Sequence, residues 1–252
     1  MDNPLLPTAP LWLDMALVLL TLVLAVGWIA GLHHSLVRQR VYGAPRIRML
    51  TRATSVVLIW LVVTAVGADF GWFADFEVMP PRVGLALGLA LAFCIWFATS
   101  GFVGPLLRQA PPHWLLHAQA FRIVMEVLLW AAYQAGAAPA LITWEGRNWD
   151  LIAGLAALAI GEWVRRRGMA SARLGVLLFH AGGLALLVNV VVHALLAAPT
   201  PFQSLFVEPS TAIVAGWPWI WLPTFIVPTA VMLHVLSLRQ VLMLRQSADL
   251  RR

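Results

Sequence analysis

The chain contains no lysine; all 17 of its basic residues are arginine. Without an ε-amine, no Schiff base to retinal or pyridoxal phosphate can form, which removes both chemistries. Cysteine is almost missing as well. Cys94 stands alone inside an apolar run, so no intrachain disulfide exists and thiol content does not report the compartment. Charge of either sign is scarce, at 11% of residues. The first stretch, "MDNPLLPTAPLWLDM", has an acid where a signal peptide would carry its basic n-region, so the first apolar segment is expected to be retained. There is no Gly-rich phosphate loop, no GxSxG elbow and no HExxH pair. Nor does His234 have an HxxxH partner in its segment, as the zinc sites of ceramidase-like and adiponectin-receptor-like hydrolases would lead one to expect. No internal repeat, low-complexity tract or long polar tail is present, so one membrane domain over residues 1–252 is expected.

What the chain does have is apolar bulk. Of its 252 residues 61% are hydrophobic, and the mean hydropathy is +0.84. A soluble domain of this length has too little interior to hide that surface, so the expected fold class is all-α, a polytopic membrane helix bundle. Spanning takes about 20 apolar residues. Seven segments qualify: 12–34, 51–69, 83–105, 113–135, 149–164, 174–198 and 212–238.

The net charge of +6 reads as topology rather than as affinity for nucleic acid, and the bilayer is the expected partner. Arg38, Arg40, Arg46, Arg48, Arg52, Arg108, Arg165, Arg166, Arg167, Arg173, Arg239, Arg245, Arg251 and Arg252 fall on one side of the seven spans. Arg82 and Arg147 fall on the other, with Asp69, Asp75, Glu77, Glu145, Asp150 and Glu208. Positive residues stay inside, so the N-terminus is expected outside and the C-terminus in the cytoplasm.

Small residues recur at four-residue spacing, as Gly84, Gly88 and Ala92 and as Ala157 and Gly161, which lets helices approach closely. In the last span, Pro218, Pro223 and Pro228 should kink or break the helix, and Trp217, Trp219 and Trp221 suggest an interfacial belt.

Polar groups at membrane depth are costly and therefore mark candidate sites. In the fourth span Gln119, Arg122, Glu126, Trp130 and Tyr133 fall within an arc of roughly 80°, facing the bundle interior. Arg122 and Glu126 are spaced i, i+4 and can pair, though in the less favourable order. The sixth span carries His180, Asn189 and His193. Asn189 and His193 are about 40° apart at the depth of Glu126, so a pocket lined by the fourth and sixth spans is expected. His180 and His193 are 13 residues apart, which turns them about 140° from each other and disfavours a bis-histidine haem on one helix. His113 and His117 have metal-pair spacing but no evident third ligand, so no metal site is expected.

The fifth span is short, and "TWEGRNWD" at its outer end holds Glu145, Arg147, Asn148 and Asp150 between tryptophans. Either this segment caps the helix or it dips to membrane depth, where irregular backbone must be buried or line a wet cavity. With Glu208 and the other outer loops it can roof an outward-facing pocket. The strings "QAFRIVMEVLL", "TWEGRNWD", "VEPST" and "HVLSLRQ" resemble those of a group of bacterial seven-span inner-membrane proteins, over roughly residues 80–245. The resemblance implies a bacterial inner-membrane setting and carries no activity, cofactor or ligand.

The leading expectation is a protein that binds, and transports or senses, a small polar or anionic solute. Arg122 would anchor its charge, with Glu126, Asn189 and His193 beside it. Two alternatives stand: an intramembrane redox or hydrolytic enzyme using haem, quinone or metal at His180, His193 or His234, and an accessory subunit whose polar residues are structural. The sequence names no cofactor and sets no oligomeric state.

Overall fold

The computed structural model describes residues 6–249, with the backbone alone from 245 onwards. Arg251 and Arg252, and the side chain of Arg245, lie outside the described residues, as does the acid Asp2 of the N-terminal stretch. Among the described residues the structure is helical, with no strand. Six helical stretches among the described residues are long and apolar enough to cross a membrane: Leu11–Arg38 (α1), Ala44–Asp69 (α2), Arg82–Thr99 (α3), Pro112–Gln134, Asp150–Ala197 and Leu222–Leu244.

Pro112–Gln134 is two helices, Pro112–Ala118 (α5) and Phe121–Gln134 (α6). Between them Arg122 and Ile123 donate their amides three residues back, to Gln119 and Ala120, which tightens the turn. The short α4 (Val103–Gln109) follows a break after Thr99. The carbonyls freed there, of Ala98 and Ser100, accept from the Arg239 guanidinium at 2.6 and 2.7 Å. The third expected span therefore ends earlier than its hydropathy suggests.

Asp150–Ala197 (α7) has 48 residues, interrupted at Gly168 with φ 78° and ψ 162°. That backbone conformation is essentially restricted to glycine. The two arms, 150–167 and 169–197, double back on each other. Asp150 and Gly183, about 50 Å apart along a straight helix, both bond the guanidinium of Arg122. The expected fifth and sixth spans are these two arms.

Val227–Asp249 (α8) is preceded by a π-helical turn at Leu222–Ile226, where Pro223 removes a backbone donor. Pro228, four residues after Thr224, likewise has no amide to donate to the Thr224 carbonyl, which accepts instead from Trp60 Nε1 of the neighbouring helix at 2.8 Å. Trp219 and Trp221 are buried, which corrects the expectation of a belt at those two positions. Trp219 donates to Asp14 at 2.8 Å and Trp221 to the Leu61 carbonyl at 3.0 Å, so both join the last helix to α1 and α2. Trp217 remains exposed.

Burial runs inside out. α8 is the most enclosed of the long helices, and α1, α2 and α3 turn residues such as Leu19, Val26, Ile59, Val63, Leu89 and Trp96 outward. This is what lipid rather than water as solvent allows. The stripe of Ala157 and Gly161 is a true close contact, with the His117 ring against the α-carbon of Gly161. The stripe on α3 is not, because a Cβ added at Gly84 or Gly88 would meet nothing within 4 Å.

The basic connections meet at one end of the bundle: Arg38 reaches the Gln109 carbonyl, and Gln240 reaches those of Leu107 and Ala110. At the opposite end Arg82 holds Asp75 at 3.3 Å and the Trp72 carbonyl, and Thr211 holds the Ala194 carbonyl.

Candidate functional site

The sharpest concentration of buried polarity lies where α6, both arms of α7 and α8 converge. Arg122, 2% exposed, makes four hydrogen bonds to three residues through its guanidinium. Nε donates to Asp150 Oδ2 at 3.1 Å, Nη2 to Asp150 Oδ1 and to the Gly183 carbonyl at 3.2 Å, and Nη1 to His234 Nε2 at 3.1 Å. The Asp150 contact is a two-pronged ion pair, the geometry in which arginine holds a carboxylate best. A guanidinium has no acceptor, so His234 Nε2 must accept and its proton sits on Nδ1. His234 Nδ1 lies 2.7 Å from His180 Nδ1, and His180 Nε2 lies 2.8 Å from Ser237 Oγ. For neutral rings this assigns a single direction to the chain of donors: Arg122 to His234 to His180 to Ser237.

Gly183 makes room for it. A Cβ there would lie 2.7 Å from His234 Cε1 and 3.4 Å from Arg122 Nη1. With all four ring nitrogens of His180 and His234 engaged, neither histidine offers a free metal ligand in this arrangement. Among the described residues no three histidine, cysteine, aspartate or glutamate side chains stand together to hold a metal.

The i, i+4 pair between Arg122 and Glu126 does not form. Arg122 is taken by Asp150, and Glu126 Oε1 instead accepts from Asn148 Nδ2. Asn148 also donates to the Ile142 carbonyl at 3.0 Å, and its Oδ1 accepts the Asp150 amide, the first of α7, at 3.1 Å. The segment "TWEGRNWD" therefore folds inward, with Thr143, Asn148 and Asp150 buried at 0, 1 and 7% exposure. Gly146 is obligatory in this turn, since a Cβ would collide with the backbone of Ala140 and Leu141. Glu126 is 1% exposed, and its Oε2 has no hydrogen-bond partner among the described residues. Gln119, fully buried, donates to the Ala230 carbonyl at 3.2 Å and ties the α5–α6 junction to α8.

Asn189 and His193 belong to a second, outer group. Asn189 donates to the Arg147 carbonyl at 2.6 Å, and Arg147 donates to His193 Nε2 at 3.1 Å. Neither residue touches Arg122 or Glu126. Trp130 donates to Glu145 at 2.7 Å and stacks on Trp144, with centroids 5.4 Å apart. Tyr133 is half-buried and Glu208 exposed. Neither lines the cavity described next.

A cavity of about 340 Å³ opens above the inner cluster. Arg122, Glu126, Asn148 and Asp150 form its floor, and Phe73, Phe76, Pro81, Phe202 and Val214, from the loops at the end opposite the basic connections, roof it. Its walls are apolar side chains of α3, α6, the second arm of α7 and the π-helical turn. Arg122 and Glu126 were expected on the floor together with Asn189 and His193, whose place Asn148 and Asp150 take. His180 and His234 complete one network with Ser237, a residue the sequence did not single out, and the string "HVLSLRQ" was the signal available for two of the three.

Residues 80–242 match the family described as Domain of unknown function (DUF8737). No curated protein and no solved structure matches the chain.

Proposed function

We propose that this chain, which belongs to the DUF8737 family, is a ligand-binding protein of the bacterial inner membrane that transports or senses a small molecule in an outward-facing cavity. The reading counts α7 as two crossings, giving seven, with the N-terminus outside and the C-terminus in the cytoplasm. The clustering of basic connections at one end of the bundle supports that orientation.

One observation carries the site. Glu126 Oε2 is a buried carboxyl oxygen on the floor of a cavity, without a partner among the described residues. Leaving such an atom unpaired costs on the order of 1–3 kcal/mol, a cost that a ligand group can remove. The ionic balance at the floor revises the expected chemistry. Arg122 is neutralised by Asp150, so it does not serve as a free anchor for an anion. The group left to recruit a ligand is an acceptor, and the ligand it suits carries a hydrogen-bond donor.

Thermal unfolding of wild type and Glu126→Gln against a panel of small alcohols, amines and acids tests this. A donor-bearing compound should raise the wild-type midpoint and raise the variant's less. If no compound acts, or both proteins respond alike to every one, the site reading fails.

A further inference from the structure

The cavity's walls say more about its occupant than its floor does. Above the floor, between Glu126 and the Asp75–Arg82 pair at the outer rim, the lining is almost wholly aliphatic and aromatic: Val83 and Leu87 of α3, Met125 and Leu129 of α6, Leu187 and Val190 of the second arm of α7. A polar solute placed there would give up its water without finding partners, at a cost of kcal/mol per group. The volume, about 340 Å³, sits at the small end of ligand cavities, roughly 300–1,000 Å³.

The way in is set by the packing of the walls. α3 and the second arm of α7 each pack on α8 but hardly touch one another, and the cavity lies between them. Gly84 borders this gap, and a Cβ added to it would meet nothing within 4 Å. The flanking surfaces, Leu85 and Leu89 on one side and Val188, Val192 and Leu195 on the other, are exposed and apolar. In a bilayer such a gap faces hydrocarbon, not water. Glu126 lies eight residues before the outer end of α6, or about 12 Å along the helix axis, deep enough to be reached from the acyl region.

We propose that the cavity is a lateral site for a single-chain amphiphile, whose hydroxyl head donates to Glu126 Oε2 while its apolar body lies between α3 and the second arm of α7. The inference rests on the reading of Glu126 as the ligand-contacting group. A hydroxyl suits the floor because one acceptor is vacant there and the Arg122–Asp150 charges already cancel, so a charged head would bring an uncompensated charge into the membrane.

The test uses the full chain in lipid nanodiscs with three probes: 1-dodecanol, its methyl ether, and succinate. Wild type should bind the alcohol about tenfold tighter than the ether, since leaving a buried acceptor unpaired costs on the order of 1–3 kcal/mol. Glu126→Gln places an N–H where Oε2 was, so the preference for alcohol over ether should collapse towards unity. Gly84→Leu, which fills the gap without touching the polar cluster, should abolish binding of the alcohol. Equal binding of alcohol and ether by wild type overturns the proposal, as does unimpaired binding by Gly84→Leu. Succinate binding that depends on Glu126, with no binding of the alcohol, overturns the amphiphile while leaving the floor as a ligand site. Failure of all three probes overturns both.

Discussion

Arg122 is the residue on which the interior depends. Its guanidinium meets a carboxylate, a carbonyl and an imidazole on three separate helical segments, with one N–H to spare. Such an ion pair contributes little net stability over an apolar replacement, but removing one partner leaves the other charged and buried. Asp150→Asn is therefore expected to lower unfolding stability by about 3 kcal/mol or more, read as a shift of the denaturation midpoint in detergent. An unchanged midpoint would mean that Arg122 is held by something other than this pair. Arg122→Lys should not rescue, because an ammonium cannot make the planar two-pronged contact. This level was only half legible in the sequence. The periodicity of α6 pointed Arg122 and Glu126 inward, and burial of polar groups demanded partners. Which partner each would take depended on a backbone turn at 143–149 that brings Asp150 and Asn148 inward, and helical spacing alone does not encode it.

At the scale of elements, glycines decide how closely the helices meet. Two neighbours on the second arm of α7 make the point as a matched pair. A Cβ at Gly183 would strike the His234 ring at 2.7 Å, whereas one at Gly182 would meet nothing within 4 Å. Gly183→Ala should cost about 1–3 kcal/mol through overpacking. Gly182→Ala should be neutral, or stabilising by up to about 1 kcal/mol through helix propensity. Equal effects of the two substitutions on the unfolding midpoint would contradict the close approach of α7 to α8. The hydropathy pattern placed the helices well and their ends less well. It ran the third span past Thr99 because an apolar α4 follows at once, and it took Trp219 and Trp221 for boundary residues when they are interior donors. Tryptophan is common in both settings, and only the helix packed beside it distinguishes them.

At the scale of the whole molecule, the bundle has a buried polar cluster on the floor of a cavity that is roofed by the loops at the end opposite its arginine-rich connections. Cys94 is buried, so a single introduced cysteine can report orientation. In intact cells, a membrane-impermeant thiol reagent should label Glu77→Cys in the 70–81 loop. It should label Arg46→Cys, at the start of α2, only after lysis. The reverse pattern would invert the topology and turn the cavity to the cytoplasm. The expected orientation rests on arginine placement alone, whereas the helical architecture followed from composition. The cavity itself was foreseeable only as a place where loops expected on one side converge, since its walls come from α3 and an arm of α7 that are remote in sequence.

The central claim is that Glu126 alone among the floor carboxyls is free to meet a ligand. An apolar carbodiimide partitions into the bilayer and forms a stable adduct with an unengaged carboxyl group there. Treating the protein in nanodiscs with dicyclohexylcarbodiimide and locating adducts by peptide mass spectrometry should find Glu126 modified and Asp150, with both oxygens held by Arg122, unmodified. Modification of Asp150 with Glu126 untouched would contradict the account.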